Sequence, residues 1–169
     1  AFNVVLPLTL PSDTALRVFF RNNPQLGPRE RGVIAETVFA CLRRKRLLDT
    51  LLGEASPRQY ALGALVKLRG VSVRELESVL RAQDVAFLRE LKARSDPPAS
   101  IELETEFPDW LIARLRTSWP DTEIVRLARA LQQPAPLDLR VNDMLATREE
   151  VLSTFAADGI EAQATPYSP

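Results

Sequence analysis

Histidine is absent from this chain of 169 residues, and cysteine occurs once. Without histidine there is no Ser-His-Asp or Cys-His catalysis, no imidazole general base, and no zinc site of the kinds that need His or several Cys. A single thiol excludes an internal disulfide and fits a reducing, cytoplasmic compartment. The six glycines are scattered singly, so the chain carries no Gly-rich phosphate loop and no dinucleotide fingerprint. No stretch approaches the roughly 18 consecutive apolar residues of a membrane span. The opening "AFNVVLPLTLP" lacks the basic flank and small-residue cleavage site of a signal peptide. Carboxylates, lysine, tyrosine, hydroxyls and one thiol remain for chemistry. They form no catalytic constellation, so the chain itself reads as non-enzymatic, with no cofactor and no metal.

What is present is enough for a core: 46% of the residues are apolar, too many for wholesale disorder. The formal net charge is zero, with 22 cations against 22 anions. That balance hides a split. Residues 1–95 hold 16 Lys and Arg against 9 Asp and Glu, and residues 96–169 hold 6 against 13. Such an asymmetry points to two regions with different electrostatic tasks.

The first half reads as helical. "PSDTALRVFF" offers Ser12 as a cap, with Leu16, Phe19 and Phe20 at helical spacing. "NNPQLGP" is turn material, and a second helix opens near Arg29 with Ile34, Val38, Cys41 and Leu42 as its apolar stripe. "SPRQYALGALVKLRG" is punctuated by Ser56 as cap, Pro57 at the first helical position and Gly70 as stop. "SVREL" starts another helix with the capping box Ser72 and Glu75, and Asp84 is placed to cap a third. These predict about five or six helices around one core over 12–94. "RSDPPAS" then reads as a linker, where the charge changes sign. Short helices are predicted from Pro108 and from Asp121.

From residue 136 the period changes. "PLDLRVN" alternates, with Leu137, Leu139 and Val141 on one side and Asp138, Arg140 and Asn142 on the other, the pattern of a half-buried strand. "TREEVLSTFAADG" follows as a helix with the box Thr147 and Glu150 and a Gly159 stop, and "IEAQAT" returns to extended chain. The expected fold class is therefore mainly α: a helical bundle, then a small α/β (β-α-β) subdomain. The expected division is 1–95 helical domain, 96–133 linker and two connecting helices, and 134–169 start of the α/β subdomain. A sheet of two strands is marginal alone, so the natural protein is expected to continue past Pro169.

One stretch raises the question of function. "CLRRKRLLD" places Arg43, Arg44, Lys45 and Arg46 in succession inside an apolar helical pattern. Four consecutive residues sweep about 300° of a helix, so they cannot share one face. Lys45 falls in the middle of the apolar stripe, which predicts a break near 43–46 or a lysine that snorkels to the edge of the core. Together with Arg17, Arg21, Arg29 and Arg31, these cations form either a solvated face or a grip on a phosphate backbone, through guanidinium forks and released counterions. Arg140 and Asn142, on the polar side of the expected strand, are the second candidate pair, as donors on an RNA-facing sheet. Cys41 lies on the apolar stripe and reads as a small core hydrophobe. Trp110 and Trp119 are expected to pack their helix, and the carboxylates at 102, 104 and 106 to solvate an exposed segment.

Several stretches together resemble one family. "LGPRERGVIAETVFACLRRKRLLD", "FPDWLIARL", "LARALQQPAPLDLRVND" and "ATREEVLSTFAADGIEAQATPYSP" are similar to the N-terminal region of the bacterial Sun/RsmB family of SAM-dependent ribosomal RNA cytosine 5-methyltransferases. The resemblance covers nearly the whole chain, and "PLDLRVN" beside "FPDWL" is its most specific part. It implies a NusB-like RNA-binding helical domain in front, followed by the start of an α/β subdomain that helps hold RNA. It places the SAM-binding motif and the two catalytic cysteines after Pro169. Cys41 matches neither cysteine motif. Arg140, Val141 and Asn142 match the family's Arg-Val-Asn, and the basic stretch matches the region where NusB-like domains keep arginines. The implied RNA-binding set is Arg29, Arg31, Arg43, Arg44, Lys45, Arg46, Arg140 and Asn142. The implied partners are small-subunit ribosomal RNA and the protein's own downstream catalytic domain, with no membrane. The rival readings are a NusB-like adaptor that contacts a protein and touches no RNA, and a structural domain that shields the catalytic core.

Overall fold

The computed structural model describes residues 1–133 and 137–166. Residues 134–136, where the α/β subdomain is expected to open, and 167–169 lie outside them. The chain divides into two compact units, Ala1–Gln133 and Pro134–Pro169.

The first unit is helical throughout. It runs α1 (Phe2–Val5), α2 (Ser12–Arg21), α3 (Pro28–Arg43), α4 (Lys45–Leu52) and α5 (Pro57–Gly63). A π-helical turn over Ala64–Leu68 extends α5. Then follow α6 (Val73–Glu77), α7 (Ala82–Ala93), α8 (Ile101–Thr105), α9 (Asp109–Leu115) and α10 (Asp121–Gln132). The punctuation read in the sequence explains several of these boundaries. Ser56 and Gln59 form a reciprocal capping box ahead of Pro57, and Ser72 and Glu75 form another at α6, each satisfying donors that a helix start leaves orphaned. Gly70 takes a φ of 69°, a left-handed conformation that only glycine adopts cheaply. Asp84 differs from expectation: it sits at the third position of α7 rather than before it. Segment 101–105, read as a solvating stretch, is a helix with Ser100 as its cap.

Two buried clusters make the core. The larger joins Cys41, Leu48, Leu51, Leu52, Leu62, Ala64, Val73, Leu88 and Leu91 across α3, α4, α5, α6 and α7. The smaller joins Val5 of α1, Ala15 and Leu16 of α2, and Val38 of α3. Gly63 is buried where a Cβ would stand 3.3 Å from a Leu52 methyl, so its missing side chain lets α5 approach α4 closely. Ile112, Ile124 and Ala128 are also buried, and α8 packs on both α10 and α4. Segment 101–132 is thereby held to the helical body instead of trailing as a tether.

In the second unit, α11 (Arg148–Ala157) begins on the reciprocal box of Thr147 and Glu150 and stops at Gly159, φ 73°. The fold is mainly α, as the sequence indicated. The flanking strands are not formed among the described residues, where 137–142 and 160–165 carry no ladder. Two strands without a further partner make a marginal sheet. Here Leu137, Leu139 and Ile160 line a hollow of about 740 Å³ with Leu152 and Phe155 of α11. No residue of α11 is fully buried, and Leu137 and Leu139 stay 83% and 61% exposed. Among the described residues no helix is long and apolar enough to cross a membrane.

Candidate nucleic-acid interface

The four successive cations do not share a surface. Helix α3 ends at Arg43, Arg44 leaves helical geometry at φ −123° and ψ 35°, and α4 starts at Lys45. Each cation then has its own surroundings. Arg43 is exposed, and its side chain has no partner among the described residues. Arg44 lies 3.7 Å from the Glu106 carboxylate. Lys45 Nζ donates to both carboxylate oxygens of Asp49 at 2.8 Å and stands 5.4 Å from the Tyr60 ring centre. Arg46 donates to the Phe107 carbonyl at 2.9 Å and to Asp109 at 2.6 Å. The break resolves the awkward position of Lys45, whose ammonium leaves the apolar stripe to meet Asp49 one turn on.

The acidic stretch 104–109 is what Arg44 and Arg46 meet. Glu106, with φ 61°, turns its carboxylate onto the start of α4 and accepts the N–H groups of Arg46 and Leu47 at 2.7 and 3.1 Å. It caps a helix to which it does not belong. Burial pushes the Glu106 carboxyl above its ordinary value, against those two hydrogen bonds and the Arg44 and Arg46 charges that favour its ionised form. Arg129 of α10 pairs with Glu104 at 2.7 Å. Glu104 and Glu106 therefore serve the joint between α4, α8 and α10; they are not idle solvating groups. Two ion pairs between the basic and acidic halves of the sequence, Arg44–Glu106 and Arg46–Asp109, fall here.

The other expected residues divide in the same way. Arg31 is half-buried, donating to the Leu26 carbonyl at 2.8 Å and lying 5.6 Å over the Phe20 ring, so it fixes the turn between α2 and α3. Arg29 is exposed on the first turn of α3, with no side-chain partner among the described residues. Arg29 and Arg43 stand about 21 Å apart along α3 and within about 40° of one another around it. Arg140 is exposed and without a partner among the described residues. Asn142 turns its side-chain oxygen to the Met144 N–H at 3.2 Å while its carbonyl accepts from Leu145 and Ala146, which makes it a turn former.

Cys41 is fully buried, and burial pushes its thiol up to about 11. That environment belongs to a core hydrophobe and not to a nucleophile. The tryptophans depart from expectation: Trp110 is 71% and Trp119 45% exposed. Sequence reading also missed a basic hollow between α6 and α7, of about 680 Å³, lined by Arg74, Glu77, Arg89 and Lys92. Each is separately a commonplace charge in a charged helix, and only the packing of the two helices brings them together.

The chain is similar in part to known proteins. Residues 107–169 match the family model described as the RsmF/B-like methyltransferase ferredoxin-like domain. A protein of Bacillus subtilis (strain 168) named "Probable ribosomal RNA small subunit methyltransferase B" is 24% identical over 184 aligned positions, 90% of this chain and 41% of the relative. One of the same name from Synechocystis sp. is 25% identical over 86% of this chain and 40% of its own length. The ribosomal RNA small subunit methyltransferase B of Photorhabdus laumondii is 34% identical over 37% of this chain. The chain thus spans about 40% of the length of the first two relatives. The resemblance to the N-terminal region of the Sun/RsmB family holds on these matches. No solved structure matches.

Proposed function

We propose that this chain is the RNA-positioning N-terminal part of a ribosomal RNA cytosine-5-methyltransferase. The observation that carries the reading is the alignment of 90% of the chain with a relative named for methylation of small-subunit ribosomal RNA, of which it covers 41%. In this reading residues 1–95 are a NusB-like helical domain, 96–133 connect it onward, and 134–169 open the α/β subdomain. SAM and the catalytic cysteines belong to the downstream part of the parent protein, and the chain supplies grip and orientation. Arg29, Arg43 and Arg140 carry the phosphate contacts, because their guanidinium groups are exposed and uncommitted. Arg31, Arg44 and Arg46 work one step behind them: they hold the turn and the joint that fix where Arg29 and Arg43 stand, while Lys45 pairs with Asp49 inside α4. Asn142 shapes the turn after Arg140.

A chain of zero net charge binds polyanions weakly, and its affinity falls steeply with salt. Fluorescence anisotropy of a labelled small-subunit rRNA transcript, titrated with the chain at several salt concentrations, tests the reading. Binding that weakens linearly in log salt, and weakens further in Arg29→Gln/Arg43→Gln, supports it. Absence of binding at low salt overturns it and leaves the protein-adaptor reading.

A further inference from the structure

Among the described residues of the first unit, the hollow between α6 and α7 is where cations converge without an equal number of anions. Arg74 stands on the α6 wall and Lys92 on the α7 wall, and neither side chain has a partner among the described residues. Glu77 and Arg89 pair across the hollow at 2.6 Å, which neutralises the carboxylate and leaves Arg74 and Lys92 uncompensated. Elsewhere on this body many cations are matched: Arg58 by Asp84, Lys67 by Asp96, Arg69 by Glu36, Arg116 by Asp121. Two unmatched cations facing one hollow repel each other, and their summed positive potential favours an anion there. Ser72, Val73 and Ala93 complete the lining.

We propose that this groove is a phosphodiester-binding site for RNA, with Arg74 and Lys92 each meeting a backbone phosphate and Arg89 held in reserve by Glu77. The proposal rests on the RNA-positioning reading above and assigns it a second contact region, away from the joint at Arg43. The groove contains no aromatic ring, so it reads the backbone and not the bases.

The test uses the whole chain and the labelled small-subunit rRNA transcript, with helicity checked by circular dichroism for every variant. Arg74→Gln/Lys92→Gln is expected to lower the slope of log affinity against log salt by roughly 1 for each phosphate that is no longer neutralised. Glu77→Gln, which frees Arg89, is expected to tighten binding and steepen that slope, a gain that loss of structure does not produce. Arg116→Gln/Arg126→Gln removes two exposed cations elsewhere and is expected to leave the slope unchanged. Wild-type binding with an unaltered slope in the Arg74/Lys92 variant overturns the groove and leaves the RNA reading standing. An equal loss in the Arg116/Arg126 control overturns it too, since binding is then a diffuse charge effect. No binding by the wild type overturns both.

Discussion

Glu106 accepts the backbone N–H of Arg46 at 2.7 Å across 60 positions of sequence, and so starts a helix it is not part of. The bond fixes α4 against α8 in a way that local sequence does not. Glu106→Ala orphans the Arg46 and Leu47 donors and strips Arg44 of its carboxylate. Caps are worth about 0.5–2 kcal/mol, and half-buried unpaired donors add to that. A loss of about 2 kcal/mol in urea unfolding is expected for Glu106→Ala. Glu106→Gln keeps one acceptor and is expected to lose less. Equal stability of all three proteins would show that the cap is incidental.

Cys41 gives a prediction about alkali. Its thiol is fully buried and raised to about 11 from an ordinary 9.0, burial being the chief cause. Tyr60, raised to about 12 by burial first and by its bond to Asp49 second, acts in the same direction. When a folded pKa is raised, the native state keeps a proton that the unfolded chain gives up. The resulting stability is whole below the unfolded value and is lost as pH climbs through the folded one. Unfolding free energy is therefore expected to decline from about pH 9 upward, by on the order of 2–3 kcal/mol from Cys41. Cys41→Ala should flatten part of that decline, and a thiol reagent at neutral pH should label the chain only in denaturant.

Residue pairs close in sequence were legible, and pairs far apart were not. Ser56, Pro57 and Gly70 announced the start and stop of one helix because capping is decided within a turn. The break near Arg44 was legible because four successive cations cannot occupy one helical face. The consequence of that break was not: the partners of Arg44 and Arg46 lie at 106 and 109, and no periodicity connects them. The alternation in "PLDLRVN" is a true pattern that stops short of a strand. Period 2 marks a segment able to be a half-buried strand, but the ladder needs a partner, and the described segment lacks one. Trp110 escapes sequence reading for a related reason, since large apolar residues favour the interior only where a neighbouring element covers them.

Asp84 and Arg58 set the acid limb. Arg58 donates to the Asp84 carboxylate through Nε at 3.1 Å and Nη2 at 2.8 Å. That fork, before any other cause, holds Asp84 below the usual carboxylate range. Asp121 beside Arg116 and Glu150 at the α11 cap are lowered likewise. A depressed carboxylate contributes its stability above the unfolded value and loses it as pH falls through the folded one. Chemical denaturation between neutral pH and pH 2 should therefore show falling stability below about pH 4. Arg58→Met is expected to be less stable at neutral pH and to show a shallower acid decline, because Asp84 no longer needs its charge. A parallel decline in wild type and variant would remove Asp84 from the account.

Arg43 and Arg46 separate binding from folding. Both belong to the same basic run, yet one is exposed and uncommitted while the other holds the Phe107 carbonyl and the Asp109 carboxylate. Charge reversal should therefore act on different observables. Arg43→Glu is expected to leave the melting temperature within experimental scatter and to weaken rRNA binding roughly tenfold at low salt, since one phosphate contact becomes a repulsion. Arg46→Glu sets a carboxylate against Asp109 and beside Glu106. It is expected to lower the melting temperature by a few degrees, as about 1 kcal/mol does for a body of this size. Its effect on RNA is then indirect, through a looser joint, and a compensating Asp109→Lys should restore both stability and affinity. If Asp109→Lys restores stability but leaves affinity low, Arg46 touches the RNA itself, and the division between gripping and positioning cations must be redrawn.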